Sequence, residues 1–281
     1  MMDTPRTEGK DGHVIVIGFT HLGERIRSLT ASGGKPVVVV EADAALVSAL
    51  VREEEPVVVG SPRDPRVLAA ARIERAKVVI VATDDLESAA VACKRVRERN
   101  EHCELVVRCA DDDVGAVLAK TYRARALSTT RLAADFIKQR ARKARVKSAL
   151  VVGDNSLADR VTDALEAMEV SVLREPDVTD GASAAGKNLV VVCDDDLGQN
   201  LIRVDRIRDV NRTVDIVCRA FHDDAAELLT RAPFSCVVLS TSRHAAQALV
   251  RAGVFREIGA FEEVAQAGGS AAHRPSAGFE T

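Results

Sequence analysis

Gly18, Thr20 and Gly23 follow the apolar run Val14-Ile15-Val16-Ile17, and Glu41 ends a second apolar run 23 residues after Gly18. In a strand–turn–helix that holds a dinucleotide, the first glycine makes the tight turn. The second lets the backbone approach the pyrophosphate, and the third lets helix and strand pack closely. Gly18 and Gly23 fill the first and third places, whereas Thr20 stands in the middle one. Threonine adds a side chain where phosphate would pass, and a hydroxyl able to donate to a phosphate oxygen. The free amides of the following helix start favour an anion. Glu41 is placed to accept from ribose hydroxyls. No arginine follows it directly, which favours NAD or an adenine nucleotide over NADP.

Other chemistry is thinner. Aspartates cluster at 84–85, 111–113, 194–196 and 223–224, each at the expected carboxyl end of a strand. Several such loops could gather oxygens for a hard cation such as calcium. Helix caps and first-turn carboxylates explain the same pattern without an ion, and are preferred. Gly181 to Asn188 nearly has P-loop spacing, but Asn188 replaces the magnesium-binding hydroxyl and a strand follows in place of a helix. None of the six histidines (His13, His21, His102, His222, His244, His273) pairs with a nucleophile turn, and there is no GxSxG. The six cysteines are scattered without zinc spacing and read as small buried hydrophobes.

The elements that must position these residues follow from hydrophobic rhythm. Short Val/Ile runs at 13–18, 36–41, 56–60, 77–82, 103–109 and 125–128 alternate with amphipathic stretches at 21–32, 43–54, 65–71, 86–99 and 112–122. This is an α/β pattern and predicts a doubly wound parallel sheet of order 3-2-1-4-5-6. The second half repeats the first. At an offset of 111, Asp84-Asp85-Leu86 maps to Asp195-Asp196-Leu197, Arg97 to Arg208, Asn100 to Asn211 and Arg108 to Arg219. Near the ends of the copies Ser128 maps to Ser240 at 112, while the first strands match at 135. The difference corresponds to one lost helix-plus-strand unit around 53–73, so the second domain is a shortened copy. Its glycine turn reads Gly153-Asp154-Asn155, with a carboxylate where phosphate would sit, and is not expected to bind a dinucleotide. Glu175 is matched there to Glu41.

The expected organisation is a polar tail over 1–12, domains at 13–137 and 148–259, a helical basic linker at 138–147 and a disordered tail over 260–281. At 281 residues, 47% hydrophobic and 29% charged, the chain suits two globular domains. A net charge of −3 and 3% aromatics argue against nucleic acid. No apolar run is long enough to span a bilayer, and the first twelve residues lack a signal-peptide core.

The succession Val-Ile-Gly, an acid ending strand two, Val-Val-Val-Gly60-Ser61-Pro62, Ala76-Lys77-Val78-Val79-Ile80-Val81-Ala82-Thr83-Asp84-Asp85 and Val106-Val107-Arg108 resembles the RCK/KTN (TrkA amino-terminal) domain. The resemblance covers 13–137 in detail and 148–254 as the worn second copy. It implies a nucleotide site with Gly18, Phe19, Thr20, His21 and Leu22 at the phosphates and Glu41 at the ribose. It also implies Gly60 and Ser61 at the adenine, Thr83 and Asp84 under the cofactor, and Arg108 near the phosphates. Gly usually stands at Thr20 and Asp at Ser61, and the usual small regulatory domain has no counterpart here.

What the resemblance implies is a cytosolic, non-enzymatic regulator of potassium transport. It would bind NAD(H) or an adenine nucleotide (ATP or ADP) in its first domain and gate a separate membrane channel or transporter subunit. A divalent cation is allowed but not favoured. A homodimer or higher ring is expected, paired through the helix after Ser128. The basic linker reads as the solvated face of a linking helix, with an acidic surface or anionic lipid at the inner face of the plasma membrane as its alternative contact. An NAD-dependent oxidoreductase and a nucleotide-free scaffold remain the alternatives.

Overall fold

The computed structural model describes residues 12–52, 56–221 and 223–256. The expected tails, apart from Gly12, lie outside these residues, as do His222, His273 and the side chains of Asp223 and Asp224. The Val/Ile runs form strands because β-branched side chains fit a pleated surface covered on both faces. β1 (Val14–Ile17) is wholly buried and pairs in parallel with β2 (Val37–Glu41) and β4 (Val78–Val81). With β3 (Val57–Val59), β5 (Glu104–Arg108) and β6 (Arg125–Leu127) they form a sheet of order β3-β2-β1-β4-β5-β6, as the rhythm predicts. The crossovers are α1 (His21–Ser32), α2 (Ala44–Arg52), α3 (Pro65–Ala70), α4 (Leu86–Arg99) and α5 (Asp112–Tyr122). The stretch with near-P-loop spacing runs, as expected, into a strand: a 3-10 helix, Ala182–Ala184, starts after Gly181 and leads to Leu189–Val192.

α6 (Thr129–Ala144), capped by Ser128, runs unbroken through most of the basic stretch. The second sheet contains β7 (Ser148–Val152), β8 (Ser171–Glu175), β9 (Leu189–Val192), β10 (Asp215–Arg219) and β11 (Val237–Leu239) in the order β11-β10-β9-β7-β8. Its helices are α7 (Ser156–Glu166), α8 (Leu197–Val210), α9 (Asp223–Thr230) and α10 (Thr241–Arg251). This is the first sheet without a counterpart of β3. The loss takes both flanking helices, α2 and α3, rather than a single helix and strand. Strand alternation divides the second core. Ala149 and Val151 pack with Ile137, Ala141, Val161 and Leu165 on one face, while Leu150 and Val152 pack with Val204 and Ile207 on the other.

The chain separates into two compact units. One comprises the residues up to Val107, Val117–Arg125 and the described residues from Ala246 on; the other comprises Arg108–Ala116 and Ala126–Ala245.

Identical fastenings recur in the two copies. Arg97 donates to the carbonyls of Tyr122, Asn100, Glu101, Cys103 and Arg123. Arg208 donates to the matching carbonyls of Phe234, Arg212, Val214 and Ser235. Asn100 Nδ2 donates to Ile73 and Ala76, and Asn211 Nδ2 to Ala184 and Lys187, at the same offset of 111. Arg123 and Ser235, whose carbonyls the two arginines hold, are both left-handed, with φ of 47° and 49°. Chance similarity does not reproduce bonds to main-chain atoms at a spacing of 111 or 112 throughout; duplication does.

All six cysteines are buried and free of disulfides. Burial pushes the thiols of Cys93 and Cys193 up to about 12 and that of Cys236 to about 11, and raises Cys103 and Cys218 as well. A thiol reacts as its thiolate. The folded protein should therefore resist a chromogenic thiol reagent at pH 8 and titrate fully in denaturant. Fast labelling before unfolding would contradict this packing.

Candidate functional site

At the carboxyl edge of β1, β2 and β4 lies a cavity of about 360 Å³. Its floor is the glycine turn. Gly18 has φ +90°, and a Cβ there would lie 2.9 Å from the Thr83 nitrogen. Gly23 packs still more tightly, since a Cβ would lie 2.2 Å from the Gly18 carbonyl oxygen. The turn can thus exist only without side chains at these two places. Beyond it α1 begins, with first-turn amides that have no acceptor within the helix.

Thr20 caps α1: its Oγ1 accepts from the Gly23 amide at 3.4 Å and donates to the Ala82 carbonyl at 2.9 Å. The single hydroxyl proton is thus directed to the Ala82 carbonyl. Glu41 does more than wait for a ribose. Its Oε2 accepts from the Phe19 amide at 2.6 Å, and its Oε1 accepts from Ala42 at 2.6 Å and Asp43 at 2.8 Å. The carboxylate therefore ties the end of β2 to the glycine turn. A carboxylate has about four acceptor positions, so one remains for a sugar hydroxyl.

The rim is held by ion pairs. Arg63, in the loop after β3, donates to Ser88 Oγ at 2.9 Å, to Glu87 at 2.9 Å and to Asp85 at 3.0 Å. Asp85 also caps α4. The Ser88 hydroxyl and the Arg63 guanidinium hold its carboxyl down at about 2. These groups are partly exposed, so each pair contributes little to stability while shaping the rim.

Of the residues expected at a ligand, Gly18, Phe19, Thr20, Glu41, Ser61, Thr83 and Asp84 line the cavity. His21, Leu22, Gly60 and Arg108 are not among the lining residues. His21 is an exposed first residue of α1, Leu22 is buried in the core, and Arg108 ends β5 half-buried. Gly60, at φ +142°, makes the turn that presents Ser61; a Cβ there would lie 2.6 Å from a Val67 methyl. Val40, Ala42, Leu46, Pro62, Asp85 and Ser88 line the cavity without having been singled out. Position one or two residues past a strand end was the available signal, but apolar residues there read as core.

The second copy keeps the glycine turn and its cap but differs around them. The parallel ladders pair Val152 with Glu175 as they pair Ile17 with Val40. Gly153 donates to the Glu175 carbonyl as Gly18 donates to that of Val40. Glu175 therefore stands in the register of Val40, and Pro176 in that of Glu41. The sequence match of the two glutamates is off by one residue, which turns Glu175 to the other face; its Oε1 accepts from Ser183. Asn155 keeps the office of Thr20, capping α7 and donating to the Cys193 carbonyl at 3.0 Å. The acidic clusters act largely as caps: Asp111 accepts from the amides of Asp113 and Val114, and Asp196 from that of Gln199. Among the described residues no three His, Cys, Asp or Glu side chains converge on a metal position.

Fold and crevice together define a Rossmann-type module in two tandem copies, the first with an open cavity at its strand ends. Residues 14–129 match the model of the TrkA-N domain. The chain is also 24% identical over 110 residues to a putative K(+) efflux antiporter KefB of Alkalimonas amylolytica. That match takes in 39% of this chain and 17% of the antiporter, so the chain spans about a sixth of that relative's length. A structure of GsuK bound to ADP superposes with a TM-score of 0.75 at 20% identity, over 89% of this chain and 70% of that one. The GsuK channel bound to NAD superposes at 0.73 with 15% identity, over 89% and 65%. At these identities the superpositions establish the shared two-domain fold.

Proposed function

We propose that this chain is a ligand-sensing regulator of potassium transport. NAD(H) or an adenine nucleotide binds in the first-domain cavity, and binding biases a separate membrane channel or transporter subunit. The observation that carries the reading is the cavity itself: a side-chain-free turn at Gly18, amides at the start of α1, and Glu41 with an acceptor position to spare. Val40, Leu46 and Pro62 add an apolar surface on which a purine can lie. The ADP and NAD complexes of proteins with this fold, and the antiporter relative, support the ligand class and the transport setting.

A ligand shifts a two-state assembly only by its different affinity for the two states. In this reading the states are arrangements of paired copies in a homodimer or ring. Among the described residues no helix is long and apolar enough to cross a membrane. Arg142, Lys143, Arg145 and Lys147 are exposed at and beyond the end of α6, available to an anionic inner-leaflet surface. The proposed setting is cytoplasmic.

Calorimetric and thermal-shift titration of the full chain with NAD, NADH, ADP, ATP and calcium tests the reading. At least one nucleotide should raise the melting temperature, and Glu41→Ala should weaken that binding at least about tenfold, the scale of a lost charge-assisted bond plus a loosened turn. Glu175→Ala should leave it unchanged. Equal effects of the two substitutions, or no response to any nucleotide, would refute the assignment.

A further inference from the structure

We infer that the second crevice is filled by the chain itself: the Arg203 guanidinium bridges Asp177 and Asp194 where the first copy keeps its cavity, and holds the crevice shut without a ligand. Asp177 follows β8 and Asp194 follows β9, while β7 lies between those two strands. The bridge therefore passes over the carboxyl end of β7, in front of the Gly153 turn. Arg203 donates from Nε to Asp177 at 2.7 Å and from Nη1 to Asp194 at 2.6 Å. Its side chain is only 7% exposed. Asn200, one turn earlier on α8 and fully buried, completes the plug. Its Oδ1 accepts from Arg203 and its Nδ2 donates to the carbonyls of Asp194 and Arg219.

The same register places in the first copy show what has changed. Ladder pairing aligns Ala42 with Asp177 and Thr83 with Asp194, and both Ala42 and Thr83 line the first cavity. Ala89 and Ala92 stand where α8 has Asn200 and Arg203, and both are buried against their sheet. Two alanines have thus become a guanidinium and an amide, and two neutral lining residues have become carboxylates. The pairing is chemically complete. The Arg203 hydrogen bond holds the Asp177 carboxyl below its usual range. Burial alone would raise Asp194, yet bonds from Arg203 and the amides of Asp195 and Asp196 keep it low as well. Arg206 adds a further tie, donating to the Val178 carbonyl at 2.7 Å.

The second domain therefore fills with its own side chains the place where the first keeps a cavity. Removing the buried Arg203 leaves the half-exposed Asp177 and Asp194 without their shared cation, and a matching cation should restore the bridge. The experiment uses the full chain without nucleotide, so it is independent of the first cavity. Arg203→Ala should lower the melting temperature and speed amide exchange at least about tenfold in 176–180 and 194–200. Millimolar methylguanidinium should reverse part of both effects, and equimolar urea should not. Unchanged exchange in those segments, or equal action of methylguanidinium and urea, overturns the inference. If Arg203→Ala yields no folded protein, Arg203→Lys decides. Its single ammonium cannot span both carboxylates, so exchange should rise at 176–180 or 194–200, and protection equal to the parent in both overturns the inference.

Discussion

Replacing Gly23 with alanine should abolish nucleotide binding and destabilise the first domain. The added methyl would sit 2.2 Å from the Gly18 carbonyl oxygen and 3.2 Å from a Val16 methyl. Neither neighbour can yield cheaply. Val16 is fully buried in the central strand, and Gly18 is itself wedged against the Thr83 backbone at a φ open to few other residues. The helix must lift off the strand, carrying with it the amides that would face a diphosphate. Overpacking of this kind costs about 1–3 kcal/mol, and contact with backbone places the expected loss at the upper end. Urea denaturation should register the loss, and calorimetry should detect no heat with a nucleotide that the parent binds. Retained binding at parental affinity would show that the turn does not form the ligand floor.

Asn100→Ala should cost on the order of 3 kcal/mol although the residue touches no ligand. Its Nδ2 serves the Ile73 and Ala76 carbonyls at 2.7 and 2.9 Å, and its Oδ1 accepts from His102 and Cys103 at 3.1 and 2.9 Å. Four main-chain groups would lose their partner beneath a residue only 8% exposed. Asn100→Asp should be nearly as damaging, because a carboxylate keeps the two acceptances but faces two carbonyls it cannot serve. Asn211→Ala should cost less in the second copy, because Asn211 is only half-buried and serves the two carbonyls of Ala184 and Lys187. Denaturant midpoints measure both, and losses below about 1 kcal/mol would mean that solvent replaces the amide readily.

The sheet order and the duplication were legible in the residues because each rests on local signals. Valine runs announce strands, and Arg97, Asn100 and their counterparts recur at a constant spacing. Glu175 shows where such reading fails. Glu41 and Glu175 both end acidic strands, but only hydrogen bonding reveals that one lies a register step away. The cavity wall was half visible. Polar residues past strand ends stood out, whereas Val40 and Leu46 look like any core residue. Arg203 was hidden for another reason: an arginine in an amphipathic helix reads as a wet face until its carboxylate partners, 26 and 9 residues away, are brought together. Asp194, Asp195 and Asp196 similarly read as one acidic cluster but serve separately. The first holds Arg203, the second pairs with Arg219 and the third caps α8.

Deleting β3 from the second copy turned an interior strand into an outermost one. In β2 the residues Val37 to Val40 are all buried, whereas the corresponding stretch of β8 reads Val172, Leu173, Arg174 and Glu175, none of it fully covered. Arg174 pairs with Asp154 and Asp159, placing charge along the rim. An unsatisfied ladder of valines would invite other chains to add to it, and charged side chains are a recurrent defence against such aggregation. The deletion and the charged replacements are therefore coupled requirements: solubility after losing a strand depends on rewriting the one it used to shelter.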